Sequence, residues 1–330
     1  MIDMKTNQIR IGVIRWDAWV GNLNPVGLEV EKCLTPKKYH DRLPFYASIN
    51  QNGVQIRCDS KKIMKQEIDY ASEYGIDYFA FCWYPFNSGL DTARNLFLEI
   101  EQSKINWCLI IGTNPLNESD ALWLIDQFSN ENYLKINNRP VIYIFDVNES
   151  LLDIVNYIRR SCKDYNPYFI GMVWNKNQAQ LMNDLFKLDA ITQYCTPGEN
   201  NISYKEISNL EISKWNEYRT INKVVPWITT GWDKRPRYDF PVSWENCEKF
   251  DIQYIQKPTL VELKNTLHHA YQFQKKNEDE LILLYAWNEF DEGGFIEPTL
   301  TDRGLIDTNK LQAIKEVVDC NTKDNKKEIK

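Results

Sequence analysis

The sequence predicts a single (β/α)8 barrel, and two observations support that prediction. Short apolar runs alternate with segments of helical periodicity eight times along the 330 residues, and no linker, low-complexity run or change in composition interrupts them. Parallel strands need helical crossovers, and eight such units close a sheet into a barrel. The alternative is an open doubly wound sheet, which normally has a glycine-rich turn after its first strand. The sequence RWDAWVG at that place contains no such turn.

Each unit begins with an apolar run too short for a lone helix and continues with apolar residues at helical spacing. In the first helix, Ser60 is a suitable N-cap and Gly75 ends the periodic pattern. The predicted strands are Ile9–Ile14, Tyr78–Trp83, Trp107–Gly112, Val141–Phe145, Phe169–Val173, Ala190–Tyr194, Val224–Thr229 and Leu281–Ala286. The predicted helices are Lys61–Tyr74, Asp91–Ser103, Ser119–Phe128, Leu151–Cys162, Gln178–Phe186, Glu206–Tyr218, Val261–Lys275 and Thr308–Val318. The barrel domain therefore takes residues 1–320, and residues 321–330 form a Lys-rich, frayed tail.

A long segment without helical or strand period, Val20–Ser60, separates the first strand from the first helix. Several prolines and glycines interrupt it. Loops of this length in a compact enzyme are either functional or disordered. The aromatic residues Tyr39, Phe45 and Tyr46 favour an ordered, functional loop.

Composition and charge exclude several classes of protein. The formal net charge of −7 leaves no electrostatic footprint for nucleic acid. No apolar run approaches the roughly 18 residues of a membrane span, and the opening MIDMKTNQIR lacks the apolar core of a signal peptide. We therefore expect a cytoplasmic protein without membrane insertion.

Cysteine and histidine usage predicts neither disulfides nor a metal site. The eight cysteines contain no CxxC pair, and Cys82, Cys108 and Cys162 fall in predicted strand or helix interiors, so buried free thiols are expected. The neighbours His268 and His269 lie on a predicted helix, where adjacent residues do not share a face. We expect all three histidines to be structural or solvated, and we predict no cofactor.

Aromatic, amide and charged residues follow the predicted strands, and in a barrel the C-terminal ends of the strands form the catalytic rim. Sugars rest their C–H faces on Trp and Tyr rings, while their hydroxyls need Asn, Asp and Arg partners. The candidate sugar-binding residues are Trp16, Asp17, Tyr46, Trp83, Tyr84, Asn114, Trp174, Tyr194, Trp232, Asp233, Arg237, Trp287 and Asn288. Tryptophans also close barrel ends, so we expect several of the eleven to be structural plugs.

Two glutamates, Glu289 and Glu292, follow the last predicted strand. Two carboxyl groups suffice to cleave a glycosidic bond without a cofactor, because one protonates the leaving oxygen and the other acts as base or nucleophile. The sequence therefore predicts a catalytic pair facing a pocket over strands one, two, seven and eight. The alternative is an acidic loop that caps a strand, with both glutamates solvated.

Three segments resemble a known family. WNEFDEGGFIEP, residues 287–298, resembles the WNEWxEGxxxEP signature of the WbsX-like domain and of the related glycoside hydrolase family 99, the endo-α-mannosidases and mannanases. GWDKRPR, residues 231–237, is similar to the GWDNxPR segment of WbsX-like proteins, with Lys234 in place of the asparagine. Residues 65–84 are similar to the same group's helix, Gly-Ile turn and aromatic-tipped strand.

The resemblance implies a (β/α)8 barrel that acts on glycans without a metal. It implies that Glu289 assists the sugar 2-hydroxyl in attacking its own anomeric carbon, and that Glu292 is general acid and then base. For that role we expect Glu292 to have a raised pKa and Glu289 to be ionised. Phe290 departs from the family pattern, since it replaces a tryptophan and removes an indole N–H donor.

Three function classes follow, each with a glycan as the partner. The first is a retaining glycoside hydrolase acting on a polysaccharide or oligosaccharide. The second is a glycosyltransferase of surface polysaccharide assembly, the role usually attached to the WbsX name, which a cytoplasmic location favours. The third is a carbohydrate-binding barrel without catalysis. We rank the hydrolase first, because the sequence has neither a DxD-like metal-nucleotide site nor a glycine-rich phosphate loop for a nucleotide-sugar donor. The sequence predicts no particular oligomeric state.

Overall fold

The structure is a computed structural model that describes residues 8–51, 53–162, 164–198, 201–246 and 254–328. A ring of eight parallel strands forms its centre. The strands are β1 (Arg10–Arg15), β2 (Tyr78–Cys82), β3 (Asn106–Ile111), β4 (Arg139–Ile144), β5 (Tyr168–Met172), β6 (Ala190–Thr192), β7 (Lys223–Val224 and Trp227–Thr229) and β8 (Leu281–Tyr285).

The ring closes because β8 pairs in parallel with β1, with Arg10 opposite Leu281. Each remaining strand pairs in parallel with its sequence neighbours. The seventh strand has two segments, the first paired with β6 and the second with β8, and Pro226 between them has no N–H for the ladder. Closure excludes the open doubly wound sheet and confirms the predicted (β/α)8 barrel.

Helices surround the ring and supply the crossovers. They are α1 (Pro25–Cys33), α2 (Lys61–Glu73), α3 (Thr92–Leu98), α4 (Glu118–Gln127), α5 (Glu149–Ser161), α6 (Lys176–Phe186), α7 (Tyr204–Tyr218), α8 (Arg235–Asp239), α9 (Leu260–Asn277) and α10 (Asn309–Glu328). Side-chain caps begin several of them, including capping boxes at Ser203 with Glu206 and at Thr259 with Glu262. None of the helices in the described ranges is long and apolar enough to cross a membrane.

Three features of the helices differ from the sequence prediction, and one of them is the unpredicted short helix α8. The segment 20–60 is ordered, as expected, but it contains helix α1 and a 3-10 helix, Lys37–Arg42, as well as a hairpin of Ser48–Asn50 with Gly53–Gln55. Asn24 caps α1 and Pro25 occupies its first turn, a favourable start that the search for a long apolar period missed. The last helix continues to Glu328, so the backbone is helical through most of the predicted frayed tail.

The interior is apolar along every strand, and the central residues of β1, β2, β3, β4 and β8 are fully buried. The thiols of Cys58, Cys82, Cys108, Cys162 and Cys195 are buried and free, while Cys320 is exposed. These observations confirm the predicted free thiols for those residues. Cys247 lies outside the described residues.

Candidate active site

The chain that follows β8 forms a tight hairpin, with Asn288–Glu289 paired antiparallel to Gly294–Phe295. Gly293 has a positive φ of 77° at the turn. A Cβ on Gly294 would lie 2.1 Å from the ring of Tyr285. A Cβ on Gly231 would lie 2.2 Å from the carbonyl oxygen of Gly293. The loops after β7 and β8 therefore touch through their backbones, and this contact fixes the glutamates relative to Tyr285.

Glu289 lies in an environment that favours the protonated carboxyl. Its side chain is almost fully buried, at 3% exposure, and its Oε1 accepts a hydrogen bond from the hydroxyl of Tyr194 at 2.9 Å. Oε2 is buried and has no hydrogen-bond partner among the described residues. Burial first, and then the negative charges of Glu292 and Asp291, raise the pKa of Glu289 well above its usual value.

Glu292 lies in the opposite environment. Its Oε1 accepts a hydrogen bond from Nη1 of Arg237 at 2.5 Å, and Nζ of Lys234 lies 3.4 Å from the same oxygen. Its Oε2 accepts a hydrogen bond from the hydroxyl of Tyr285. Burial alone would raise the pKa, but Arg237, Lys234 and the Tyr285 hydrogen bond together hold the pKa of Glu292 below its usual value.

The predicted division of ionisation within the pair is therefore wrong. We expected a raised pKa for Glu292 and an ionised Glu289, whereas burial raises the pKa of Glu289, and Arg237 and Lys234 lower the pKa of Glu292 against the effect of burial. The reason is that both nearby cations, Arg237 and Lys234, contact Glu292. Glu289 has no ion-pair contact with a cation among the described residues.

Arg237 is the main electrostatic anchor of the site. Besides Glu292, its Nε donates to Oδ2 of Asp291 at 2.7 Å, and its Nη1 donates to Oε2 of Glu245 at 2.9 Å. Its guanidinium carbon lies 5.6 Å and 5.5 Å from the ring centroids of Trp16 and Trp244. The sequence predicted Arg237 as a sugar-binding residue, whereas in this structure its donors are directed at carboxylates of the protein.

Five residues at the site were not among the candidates, namely Tyr285 and Asp291, described above, and Lys234, Trp244 and Glu245. Lys234 donates from Nζ to Oε1 of Glu245 at 2.5 Å, and Trp244 packs on Trp16 with ring centroids 6.2 Å apart. The sequence marks Lys234 only as a departure from the family pattern and not as a site residue. Trp244 and Glu245 lie in an irregular segment after α8, where no periodic pattern marks a functional residue.

Several candidate residues do lie around the pair. Trp16 donates from Nε1 to the hydroxyl of Tyr84 at 2.5 Å, and Tyr194 donates to Glu289. Trp232 packs on Tyr285 with ring centroids 5.8 Å apart. Asn288 accepts from the backbone N–H of Trp16 at 3.0 Å, and its Nδ2 is buried without a partner among the described residues. These residues follow β1, β6, β7 and β8, together with Tyr84 after β2, and the pocket expected over strands one, two, seven and eight stays a prediction.

Two tryptophans are in the core instead. Trp83 and Trp287 have no exposed surface. The Trp83 indole donates to the carbonyl oxygen of Pro115 at 3.2 Å, and the Trp287 indole donates to Glu67 at 3.3 Å. Both residues are structural plugs of the kind expected among the eleven tryptophans.

The side chains of two candidate aspartates form ion pairs with arginines other than Arg237. Asp17 accepts from Nε of Arg15 at 2.8 Å, within a buried network that includes Glu67; burial raises the pKa of Asp17 to about 6 against the effect of Arg15. Asp233 pairs with Arg42 and with Arg235, and the Arg235 pair has an N–O distance of 2.7 Å. Its backbone N–H donates to the carbonyl oxygen of Glu292 at 2.5 Å, so Asp233 positions the loop.

Among the described residues, the remaining three candidates have their contacts with residues other than the two glutamates. Tyr46 has a buried hydroxyl and packs on Phe45 with ring centroids 5.1 Å apart. Asn114 donates from Nδ2 to the carbonyl oxygen of Trp83 at 3.0 Å. Trp174 is exposed at the rim and packs on Phe145, whose ring also contacts Tyr194.

The described residues contain no group of three or more His, Cys, Asp or Glu arranged to hold a metal ion. The side chains of His268 and His269 are exposed on α9, in agreement with the prediction that they are solvated. Glu289 and Glu292 are groups suited to acid–base chemistry, and Tyr194 and Tyr285 lie beside them.

A closed (β/α)8 barrel with paired carboxyl groups and aromatic residues at its C-terminal rim is the architecture of a carbohydrate-active enzyme. The model of the family described as glycosyltransferase WbsX matches residues 112–305, more than half of the chain, and the chain belongs to that family. The matched range includes Glu289, Glu292 and Arg237. No curated protein gives a significant sequence match.

The fold is similar to that of the GH99 endo-α-mannosidase from Bacteroides thetaiotaomicron. One solved structure of that enzyme, in complex with BIS-TRIS-propane, aligns with a TM-score of 0.63 and 13% identity, covering 96% of this chain and 98% of the enzyme. Another aligns with a TM-score of 0.64 and 14% identity, covering 95% and 98%. At this identity the similarity establishes the fold, and together with the family match it confirms the resemblance drawn from the sequence.

Proposed function

We propose that this protein is a retaining glycoside hydrolase that cleaves a polysaccharide or oligosaccharide with Glu289 and Glu292. The observation that supports it most is the pair itself, two buried carboxyl groups at the barrel rim whose pKa values are shifted in opposite directions. Glycosidases of this kind need one carboxyl group that holds a proton near neutral pH and one that stays charged. The pKa of Glu289 is raised and that of Glu292 is lowered, which meets this need.

In the first step, Glu289 protonates the leaving glycosidic oxygen while the bond to the anomeric carbon breaks. The Glu292 carboxylate takes the proton of the sugar 2-hydroxyl, whose oxygen attacks the anomeric carbon and forms the epoxide-like intermediate that the resemblance implies. Water then opens the ring at the anomeric carbon and gives its proton to Glu289, and Glu292 returns its proton to the 2-oxygen. Two displacements at one carbon retain its configuration. Glu289 is the acid in this scheme, the reverse of the order that the resemblance alone implies.

Unpaired polar atoms near the pair support sugar binding. Nδ2 of Asn288 and Oε2 of Glu289 are buried and have no partner among the described residues. Burying a polar group without a partner costs about 1–3 kcal/mol, so such groups in native proteins usually have a ligand or water to bind. Sugar hydroxyls provide both donors and acceptors for these two atoms, and the Trp16 and Tyr84 rings are suited to the C–H face of the sugar.

The test compares Glu289→Gln and Glu292→Gln with the wild-type protein on a glycan panel and on activated aryl glycosides. Glutamine keeps the shape of the side chain but cannot exchange a proton, and loss of one general acid or base costs about 10²–10⁴-fold in rate. An activated leaving group needs less protonation, so it should restore part of the rate to Glu289→Gln and none to Glu292→Gln. The matched control is Glu316→Gln on α10, where Glu316 forms an exposed ion pair with Lys264 of α9.

The contrary results are distinct. Wild-type rates in both variants, on a substrate that the protein cleaves, would refute the paired-glutamate mechanism. Rescue of Glu292→Gln instead of Glu289→Gln would reverse the two roles while leaving the hydrolase proposal intact. Each variant's thermal midpoint must stay near that of the wild type for the rates to be interpreted.

The second candidate function is glycosyl transfer, and the family match favours it because the matching family is described as a glycosyltransferase. The two candidates are separated by incubating the protein with nucleotide sugars and glycan acceptors, in parallel with the hydrolysis assay. Transfer to an acceptor without hydrolysis of any glycan would select the transferase. Binding without either reaction would select a non-catalytic glycan-binding barrel.

A further inference from the structure

Glu245 is a carboxylate at the site that has no part in the proposed reaction. Glu245 contacts both cations that hold Glu292, through Oε1 to Lys234 at 2.5 Å and through Oε2 to Arg237 at 2.9 Å. Its side chain is 28% exposed, whereas that of Glu292 is 11% exposed. Glu245 therefore lies on the solvent side of the cations, between them and an approaching ligand.

The segment that carries Glu245 makes polar contacts with α1 and an aromatic contact with Trp16. Ser243 donates from its backbone N–H and its hydroxyl to Glu29 of α1, at 2.5 Å and 2.9 Å. Trp244 is 42% exposed and packs on Trp16. Val242 in the same segment is buried, so the segment itself stays in place. A ligand that offers equivalent contacts has to displace only the partly exposed Glu245 side chain.

The ion pairs of Lys234 and Arg237 define which group that ligand must offer. Among the described residues, Lys234 has ion-pair contacts with Glu245 and Glu292, and Arg237 with Glu245, Asp291 and Glu292. If a neutral sugar displaced Glu245, Lys234 would lose its nearer carboxylate while remaining largely buried. If a sugar with a carboxylate displaced it, both cations would keep the same number of charged partners. Asp291 and Glu292 would still match the two cations in number, so what a ligand carboxylate restores is the close ion pair of Lys234, which lies 2.5 Å from Glu245 and 3.4 Å from Glu292.

We propose that the substrate is an acidic glycan, and that the carboxylate of a uronic acid residue takes the place of the Glu245 carboxylate on Lys234 and Arg237. This inference rests on the proposed function, since it assumes that the site binds a glycan. Lys234 and Arg237 both donate to the Glu245 carboxylate, one to each oxygen, and a ligand carboxylate at that position can accept the same two hydrogen bonds.

The experiment measures binding by NMR titration for matched pairs of methyl glycosides, a glucoside with the glucuronide and a mannoside with the mannuronide. The corresponding uronamides, which have the shape of the acid without its charge, form the third arm. We expect at least one uronide to bind about tenfold more tightly than its neutral partner and its uronamide, a difference of about 1.4 kcal/mol.

Two variants separate charge recognition from a general effect on the site. Glu245→Gln weakens the internal competitor, so the affinity for the uronide should rise several-fold while that for the neutral glycoside stays the same. Lys234→Asn removes the ammonium group and should abolish the preference for the acid over its neutral partner, whatever the change in overall affinity that follows from the loss of its contact with Glu292. Lys104→Asn, at an exposed pair with Asp69, is the control and should change neither affinity.

Equal binding of acidic and neutral sugars by the wild type, or an unchanged preference in Lys234→Asn, would overturn this inference and leave the proposed function standing. Binding of the uronamide as tightly as the uronide would also overturn it, because the charge would then be irrelevant. If no sugar of any kind bound, the proposed function itself would fail.

Discussion

Replacing Arg237 with methionine tests whether this residue holds the catalytic loop electrostatically. Methionine has a similar length and no charge. In the wild type, the guanidinium contacts Asp291 at 2.7 Å and Glu292 at 2.5 Å, and the two carboxylate side chains are 0% and 11% exposed. The substitution therefore leaves two acidic groups buried without their main cation.

The size of the effect follows from these contacts. At a separation of about 4 Å and an effective dielectric constant of about 20, each charge pair is worth about 4 kcal/mol before desolvation is counted. Much of that gain offsets the cost of burying the ions, and removal of one partner from a buried pair typically costs about 3–5 kcal/mol. We expect the free energy of unfolding at pH 7 to fall by about this amount.

The pH dependence gives the prediction a sign. Arg237 lowers the pKa of Glu292, so the stabilisation it provides is present above the pKa of the unfolded chain and disappears as the pH falls. In Arg237→Met the pKa values of Glu292 and Asp291 should rise, and both groups should take up protons as the pH falls from neutral. The difference in stability between the wild type and the variant should therefore be largest near neutral pH and should shrink in acid.

The assay is urea unfolding at pH 5 and pH 7, followed by tryptophan fluorescence and far-ultraviolet circular dichroism. Arg160→Met, at an exposed position on α5, is the control and should change the free energy of unfolding by less than about 0.5 kcal/mol. A loss in Arg237→Met below about 1 kcal/mol, equal at both pH values, would refute the anchoring role of Arg237.

Two further predictions concern the support of the site. Burial raises the pKa of Glu211 to about 7 against its hydrogen bonds from Thr229, so the free energy of unfolding should fall as the pH rises from about 4.5 through 7. Glu211→Gln should remove up to about 3 kcal/mol of that fall. An unchanged dependence of urea unfolding on pH in the variant would contradict the expectation. Gly231→Ala places a Cβ 2.2 Å from the carbonyl oxygen of Gly293, so it should lower the thermal midpoint and reduce turnover together; wild-type values of both would show that the two loops need not touch.

The barrel was predictable because its strands are buried on both faces. Leu281–Tyr285 and Tyr78–Cys82 are continuous apolar runs, the pattern typical of parallel strands covered by helices. Helix α1 was missed because its start depends on the cap at Asn24 and on Pro25, and not on a long apolar period. The short helix α8 was missed because its few residues are set by contacts with other loops.

The position of the glutamates was also predictable, but their ionisation was not. The end of an apolar run locates Glu289 and Glu292 at the rim. Their pKa values depend on Lys234 and Arg237, which are far away in sequence and meet Glu292 only because the β7 and β8 loops touch. Glu245 could not be predicted either, because it contacts the site from a segment with no periodic pattern.

The most direct test of the central claim is the anomeric configuration of the first product. A ¹H NMR time course on a cleaved glycan distinguishes the α and β anomers before mutarotation mixes them. The account predicts that the product first appears with the configuration of the substrate, because two successive displacements occur at the anomeric carbon. Initial release of the opposite anomer would contradict retention by Glu289 and Glu292.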